Sequence, residues 1–522
     1  MKKIEIYDTT LRDGAQTEGI SFSVNDKLRI TEKLDELGVH FIEGGWPGAN
    51  PKDISYFHQV KKIKLVNARI AAFGSTKRSE VKPENDIVLK GLIASKANVI
   101  TIFGKAWDLQ VKDVLKTSLD ENLKMIEASV KYLKSNGKFV LFDAEHFFDG
   151  YIANRGYALK ALKAAQNGGA DRIVLCDTNG GTITSTVFNA VIEAGKEVKT
   201  PLGIHVHNDC ELAVANSIAA VEAGAIHVQG TMNGYGERCG NANLASIIPI
   251  LKLKLGIDCI SDIALKELTE TSRFVAEICN MKQEDSQPFV GSRAFAHKAG
   301  IHVNAILKNS RSYEHVAPEK VGNKRRLVVS EQAGRSSIKR KAEELNIKLD
   351  TSKDQEAKIL NSLKKLESEG YQFESAEASL ELFMNRSMKK FKDFFQMQGF
   401  RVITEKKGRS KVETEATVSV KVGEHKETML AHGDGPVNAL DSALRKALKD
   451  FFPSLNEMHL SDFKVRVLDE KSATAAKVRV LIKSQDKHDS WWTIGVSENI
   501  IEASWKALID SVEYKLFKDS KS

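Results

Sequence analysis

Short runs rich in β-branched and aromatic residues recur about every thirty residues over the N-terminal part of this chain, and a helical pattern follows each run. Strands that alternate with helices at this spacing are typical of βαβ units, whose strands are parallel. Eight such units predict a closed (β/α)8 barrel, the TIM-barrel form of the α/β class. The eight predicted strands cover residues 4–8, 39–45, 69–74, 99–104, 139–145, 172–177, 202–207 and 227–233.

Two further regions are predicted after the barrel. Residues 271–395 mix helical pieces with polar clusters and are interpreted as helical linker subdomains. From residue 396 the pattern changes to alternating strands, and a βββα unit occurs twice, with helices predicted at 439–451 and 500–517. Two copies of one unit predict a compact α+β domain that packs against its twin or another subunit. The predicted domains are therefore 1–270, 271–395 and 396–522.

The composition excludes several classes of protein. A chain of 522 residues with 42% hydrophobic and 28% charged residues is long enough for a large core. It shows neither a secretory signal nor an apolar run of membrane-spanning length, which predicts a cytoplasmic protein without membrane contact. The net charge of +8 comes from lysines interleaved with acids, so we expect no nucleic-acid binding. Five cysteines without C-x-x-C spacing predict reduced thiols.

The end of the seventh strand carries two histidines. His205 and His207 alternate with Ile204 and Val206, so both imidazoles lie on one face and can share a metal ion. The alternative is a pair of core histidines, each bonded to the backbone. TIM-barrel active sites lie at the carboxyl ends of the strands. Polar residues collect at the ends of other predicted strands too, which favours a metal site over a pair of core histidines. These residues are Arg12, Asp13, Glu43, Glu145, His146, Asp177 and Thr178.

The donor set indicates the kind of metal. Two imidazoles, the carboxylate of Asp13 and the amide oxygen of Asn241 include no thiolate. Such a set favours Mg²⁺, Mn²⁺ or Zn²⁺ with open coordination positions over a closed structural zinc site. A 2-keto acid could chelate that metal, which would polarise its carbonyl group. Arg12, next to Asp13, is suited to stabilising an alkoxide.

Four features of the chain resemble the acyl-CoA-dependent 2-keto-acid synthases, a family that comprises 2-isopropylmalate, homocitrate and citramalate synthases. They are YDTTLRDG at residues 7–14, HVHND at 205–209, GYGERCGN at 234–241 and the C-terminal repeat. The resemblance extends over nearly the whole chain. The stretches EGGWPGANP at 43–51 and AAFGST at 71–76 resemble the citramalate branch, which takes the smallest keto acid.

The resemblance implies roles for individual residues. It implies metal ligation by Asp13, His205, His207 and Asn241, substrate binding by Arg12, Thr178, Phe73 and Asp143, and catalysis by Arg12, Glu145, His302 and Tyr313. Two positions depart from the family pattern. Ala15 stands where the isopropylmalate branch usually has glutamate, and Asp143 stands near a position where some citramalate synthases carry a tyrosine.

The reaction implied by the resemblance is a Claisen condensation of acetyl-CoA with pyruvate. Condensation with 2-oxoisovalerate or 2-oxoglutarate is the alternative within the family. A cleaving lyase on the same barrel is disfavoured, because the expected Gly-Gly-Cys-Pro loop is absent and Cys239 lies in GERCG instead. If the protein is not an enzyme, the alternative is an amino-acid sensor with an inactive barrel. The intact set of candidate metal ligands argues against that alternative.

The C-terminal repeat suggests regulation. Residues Gly433, Asp434, Gly435 and Asn438 lead into a helix, whose free N–H groups suit the carboxylate of an amino acid. The plainer interpretation is a turn before a helix with Pro436 in its first turn. The motif recurs near residues 495–499, and the resemblance implies a feedback domain. We therefore expect isoleucine as the effector and a homodimer as the assembly.

Overall fold

The computed structural model describes residues 3–48, 51–327, 342–343, 347, 353–388, 391–408, 411–468 and 476–521. Residues 49 and 50 of the stretch 43–51 therefore lie outside the described residues. The chain divides into two compact units, one of residues 1–295 with 315–325 and one of residues 296–314 with 326–522. No helix in the described part of the chain is both long and apolar enough to cross a membrane.

The first unit contains a closed barrel of eight parallel strands, in which each strand pairs with the next and β8 pairs with β1. This confirms the predicted fold class. The runs predicted for β5 and β6 coincide with the observed strands. β8 is shorter than predicted, because Asn233 takes a left-handed φ of 64° and turns the chain. The strands are β1 Glu5–Asp8, β2 Phe41–Gly45, β3 Arg69–Ser75, β4 Val99–Lys105, β5 Phe139–Glu145, β6 Arg172–Asp177, β7 Leu202–Val206 and β8 His227–Gly230.

Helices connect and cover these strands. The first shows how local sequence sets the boundaries: Ser23 and Asp26 form a capping box, and Gly38 ends the helix with a left-handed φ of 85°. The helices of this unit are α1 Val24–Leu37, α2 Pro51–Gln59, α3 Ile87–Ala94, α4 Leu119–Ser135, α5 Phe147–Gly168, α6 Thr184–Glu197, α7 Ala213–Ala223, α8 Leu244–Pro249, α9 Asp262–Leu265 and α10 Leu268–Ile278.

Two apolar layers hold the barrel together. Outward-facing strand residues such as Ile100 and Val228 pack with the helices in one large core. A smaller cluster fills part of the barrel interior. Because side chains fill the barrel interior, residues beyond the carboxyl ends of the strands are supported by packed structure beneath them. The interior cluster comprises Tyr7, Phe41, Ala71, Val99, Leu141, Val174 and Cys176.

Among the residues that the structure describes, the second unit contains a two-stranded sheet of β9 (Ala296–His297) and β10 (Arg326–Leu327), a set of helices and the C-terminal domain. The helices are α11 Gly300–Lys308, α12 Lys353–Ser368 and α13 Glu377–Ser387. The predicted βββα repeat is confirmed as two antiparallel sheets, each followed by a helix. The repeats are β11 Gln396–Glu405, β12 Glu413–Val422, β13 His425–Gly433 and α14 Pro436–Leu448, then β14 His459–Val467, β15 Val478–Gln485, β16 Ser490–Ser497 and α15 Ile500–Lys521.

One core joins the two repeats. Val418 of β12 and Ile482 of β15 are fully buried in the same cluster as Leu444 of α14 and Leu508 of α15. Helix α14 begins at Pro436, three residues before its predicted start, because proline is well tolerated in the first turn of a helix.

Candidate active site

Three of the predicted metal ligands meet at the carboxyl end of the barrel. One ligand atom from each of Asp13, His205 and His207 lies within 4.8 Å of the others, and all three residues are buried. The Nε2 atoms of the two histidines are 3.4 Å apart, and Nε2 of His205 is 3.3 Å from Oδ2 of Asp13. These ligand atoms therefore face one point that a single cation could occupy.

The loop after β1 positions Asp13. Asp8 at the end of that strand accepts hydrogen bonds from the backbone N–H and the hydroxyl of Thr10, each at 2.9 Å. The hydroxyl of Thr10 in turn accepts from the N–H of Met232, which ties the loop to the end of β8. Burial raises the pKa of Asp8 to about 7, although the hydrogen bonds from Thr10 oppose this shift. Asp8 thus supports the loop rather than contributing a ligand.

Asn241, the fourth residue proposed as a metal ligand, lies beside His207. It forms a β-bridge with His207, and its Nδ2 donates to the carbonyl of Tyr235 at 3.4 Å. Its Oδ1 is buried and has no hydrogen-bond partner among the described residues. A buried oxygen without a partner fits a cation ligand. Gly236 permits this arrangement, because a Cβ there would lie 2.2 Å from Nδ2 of Asn241.

The charges of the cluster suit a divalent cation. Burial opposes ionisation of Asp13, but Arg12 and His205 outweigh it and hold the pKa of Asp13 well below its usual value. Burial and the neighbouring His205 lower the pKa of His207 to about 4. Burial would also lower the pKa of His205, but the contact with Asp13 raises it. A carboxylate and neutral imidazoles are the forms that bind metal, so a cation would displace the proton that Asp13 favours on His205.

Arg12 is held on three sides. Its Nε donates to Oε1 of Glu43 at 2.6 Å, and its Nη1 lies 3.4 Å from Oδ1 of Asp13. The guanidinium carbon lies 3.8 Å from the ring centre of Phe73. Glu43 also accepts from the hydroxyl of Tyr7 at 2.7 Å. The sequence placed Glu43 at the site but assigned it no role. A carboxylate in a buried strand is unusual, because burying a charge is costly, and this could have indicated a role for Glu43.

Phe73 and Asp143 lie inside the same end of the barrel. Phe73 stacks on Phe103 and meets Trp46 edge to face, so it belongs to an aromatic wall beside Arg12. Asp143 is buried, which raises its pKa to about 7, and Nε2 of Gln229 donates to it at 3.1 Å. Gln229 was missed by the sequence reasoning, although a polar residue at an inward position of a buried strand could have indicated it.

Glu145 ends β5, and Thr178 directly follows the neighbouring strand β6. Glu145 forms an ion pair with Lys105. The hydroxyl of Thr178 accepts from the N–H of His146 at 2.9 Å, and its carbonyl accepts from Arg238, which also binds Asp209. The structure therefore has both residues at the carboxyl end of the barrel, each held by a specific partner.

The other predicted site residues belong to the second unit. His302 and Tyr313 are exposed, and their rings stack with centroids 4.2 Å apart. Near the end of β13, Asn438 accepts from the N–H of Asp434 at 3.2 Å. Gly433 is required there, because a Cβ would lie 2.5 Å from the backbone nitrogen of Ala439. Gly435 precedes α14 as its N-cap.

Three family models match successive parts of this chain. They are HMGL-like over residues 3–275, homocitrate synthase post-HMGL domain-like over 289–371, and LeuA allosteric (dimerisation) domain over 374–516. The (R)-citramalate synthase of Geobacter sulfurreducens is 55% identical over 100% of this chain and 99% of its own length. That of Aquifex aeolicus is 53% identical over the same shares. The 2-isopropylmalate synthase of Methanocaldococcus jannaschii is 33% identical over 99% of this chain and 96% of its own.

Proposed function

The chain belongs to the (R)-citramalate synthases of the HMGL-like family, and from this membership we propose that it condenses acetyl-CoA with pyruvate to give (R)-citramalate and CoA. It is accordingly an acyltransferase. The structural observation that carries the proposal is the cluster of Asp13, His205 and His207 at the carboxyl end of the barrel. An open site with one carboxylate and two imidazoles suits a divalent metal that receives a chelating 2-keto acid.

The residues of the cluster fit such a metal. Asp13, His205, His207 and Asn241 would hold it, since the buried Oδ1 of Asn241 has no other partner in the described structure. Bound there, a divalent cation supplies Lewis-acid polarisation of the keto group. We propose Mg²⁺, Mn²⁺ or Zn²⁺, because the site contains no thiolate.

The proposed reaction balances as follows. A base removes a proton from the methyl group of acetyl-CoA, and the resulting carbon nucleophile forms a bond to the keto carbon of pyruvate. The keto oxygen gains the electron pair and then a proton, which makes the tertiary alcohol. Water then cleaves the thioester, so CoA leaves and a carboxylate remains. Arg12 is placed beside Asp13 to stabilise the charge on that oxygen, and Glu43 and Phe73 hold its guanidinium in a fixed orientation.

Proton transfer requires further groups. We assign this role to Glu145 at the end of β5, together with His302 and Tyr313 of the second unit. The ion pair with Lys105 keeps the carboxylate of Glu145 in place, and the match to the homocitrate synthase post-HMGL domain-like family over residues 289–371 supports a role for the segment with His302 and Tyr313. Thr178, Phe73 and Asp143 are proposed to bind the keto acid. In this assignment residues 1–270 are catalytic, 271–395 are the linker and 396–522 are regulatory.

Pyruvate is the proposed keto acid because citramalate synthases share 44–55% identity with this chain, against 33% for the 2-isopropylmalate synthase. The test is release of free CoA by the purified protein with pyruvate, 2-oxobutyrate, 2-oxoisovalerate and 2-oxoglutarate. We expect pyruvate to react fastest and 2-oxobutyrate more slowly, since a methylene changes binding by only about 1–3 kcal/mol. Faster reaction with 2-oxoisovalerate would assign the chain to the isopropylmalate branch instead.

We also propose that the C-terminal domain dimerises and binds isoleucine as an inhibitor. The match to the LeuA allosteric (dimerisation) domain supports both roles. The start of α14 supports amino-acid binding, since it follows Gly433, Asp434 and Gly435 and offers free N–H groups that suit a carboxylate.

A further inference from the structure

Three buried residues form a hydrogen-bonded chain across the inside of the barrel. Nδ1 of His205 is 2.9 Å from Oε1 of Gln229, and Nε2 of Gln229 donates to Oδ1 of Asp143 at 3.1 Å. Gln229 is fully buried, and the other two residues are nearly so. His205 belongs to β7, Gln229 to β8 and Asp143 to β5. The chain of hydrogen bonds therefore joins a candidate metal ligand to a strand that does not neighbour it.

The direction of these hydrogen bonds follows from the chemistry of the groups. Nε2 of Gln229 lies 3.1 Å from Oδ1 of Asp143, and an amide nitrogen can only donate, so Asp143 accepts an N–H of Gln229 in either of its protonation states. This turns the carbonyl oxygen of Gln229 towards His205, and a carbonyl oxygen only accepts. Nδ1 of His205 must then carry a proton, so Nε2, the atom that faces Asp13, is the nitrogen from which a cation can displace one.

The second histidine of the site is not held in this way. Nδ1 of His207 is buried and has no hydrogen-bond partner among the residues that the structure describes. Of these two histidines, only His205 therefore has its tautomer set by a neighbouring side chain. The two histidines differ in this respect although both offer Nε2 to the same point.

We infer that Gln229, held by Asp143, is a positioning residue that fixes His205 in the Nδ1-protonated tautomer and so makes Nε2 available to a divalent cation. This inference rests on the proposed metal site. Groups that hold the second nitrogen of a histidine ligand typically change metal affinity by 10- to 100-fold. Gln229 has this effect through His205, without itself contacting the metal or the substrate.

The test measures binding of Mn²⁺ and of Co²⁺ to the metal-stripped full chain by calorimetry, without substrates. Gln229→Met keeps the length of the side chain but has no acceptor. We expect it to bind each metal about 10- to 100-fold more weakly and to change the visible absorption of bound Co²⁺. Gln229→Glu, sharing a proton with Asp143, keeps both an O–H that donates to Asp143 and an oxygen that accepts from Nδ1, so we expect its affinity to stay within a few-fold of the wild type.

His227→Asn is the matched control. His227 lies on the same strand two residues before Gln229 and is equally buried, but it contacts Glu5 at 3.2 Å rather than a metal ligand. We expect its metal affinity to equal that of the wild type, whatever its effect on thermal stability. An equal loss of affinity in this variant would attribute the effect to packing and overturn the inference.

Two further outcomes separate this inference from the proposed function. If His205→Ala binds metal normally, the metal site itself is wrong. If His205→Ala loses binding while Gln229→Met does not, only the role of Gln229 is wrong. Should Gln229→Met fail to fold, ¹⁵N-histidine NMR of the Zn²⁺-loaded wild-type chain decides: we expect the proton of His205 on Nδ1, and a proton on Nε2 would overturn the inference.

Discussion

Arg12 shows how much of this site depends on the geometry of a single side chain. Its guanidinium contacts Glu43, Asp13 and the face of Phe73 at the same time. A lysine keeps the charge but not the planar fork, so it cannot make these three contacts together. We therefore expect Arg12→Lys to lower kcat roughly 100-fold or more in the free-CoA assay.

Arg172→Lys provides the control for this prediction. Arg172 makes a two-pronged contact with Glu5 at the other end of the barrel, with distances of 2.9 and 2.7 Å. We expect this variant to lose some thermal stability and to keep its kcat. A fully active Arg12→Lys enzyme would show that Arg12 has only a structural role.

Gly236 supports Asn241 by having no side chain. A Cβ at Gly236 would lie 2.2 Å from Nδ2 of Asn241, so Gly236→Ala must displace that amide. We expect weaker Mn²⁺ binding and a lower kcat, measured by calorimetry and by CoA release. Gly181→Ala is the control, since a Cβ there meets no atom within 4 Å. Normal metal binding by Gly236→Ala would remove Asn241 from the proposed ligands.

At the scale of an element, helix α15 carries a carboxyl group whose ionisation opposes folding. Glu513 is buried and accepts from the N–H of Phe394, and burial raises its pKa from 4.5 to about 7. Between these values the folded state binds more protons than the unfolded state, so the free energy of unfolding falls as pH rises. Arg386 opposes this shift and Asp393 adds to it.

Replacing Glu513 with glutamine should remove this dependence, because the amide keeps an acceptor oxygen but does not ionise. We expect Glu513→Gln to unfold at higher denaturant concentration than the wild type at pH 8, and the difference to shrink towards pH 5. Fluorescence of Trp491 and Trp505, both in the core of this domain, reports the transition. Glu502→Gln, the same substitution at a half-exposed position of the same helix, is the matched control. An unchanged midpoint at pH 8 would contradict the prediction.

At the scale of the whole molecule, the C-terminal domain carries an apolar stripe suited to a subunit interface. Phe463, Val465 and Val467 alternate along β14 and so share one face of that strand, and each is 42–49% exposed. We propose that a second copy of the chain covers this stripe. Val465→Lys should then shift the dimer towards monomer in sedimentation velocity, whereas Arg466→Ala on the opposite face should not. A wild-type monomer at micromolar concentration would contradict the proposed dimer.

The proposed feedback by isoleucine would also involve the whole chain, since the proposed effector and substrate residues belong to different units. We expect millimolar isoleucine to inhibit CoA release by the wild type. Asn438→Ala removes the oxygen that accepts from Asp434, so inhibition should weaken while kcat is kept. Ser419→Ala, on an exposed part of the same sheet, should leave inhibition unchanged. If neither isoleucine nor another branched amino acid changes CoA release by the wild type, the C-terminal domain would retain only an assembly role.

The sequence by itself determined the barrel, the capped first helix, the repeat and the strand ends that carry the proposed metal ligands. These features follow from local patterns: strand and helix periodicity, the capping box at Ser23, and alternation that puts His205 and His207 on one face. Parallel strands bring their carboxyl ends to one rim, so polar residues that end strands must lie together there.

Only the tertiary structure decided which side chains meet inside that rim. Arg12 and Glu43 are 31 residues apart, and Gln229 and Asp143 are 86 apart, so no local pattern links either pair. Whether inward side chains from different strands touch depends on the register of the closed barrel, in which Tyr7 pairs with Gln229 and Cys176 with His205. The contacts that orient Arg12 and His205 were therefore decided by closure of the barrel, which places groups distant in sequence within hydrogen-bonding distance.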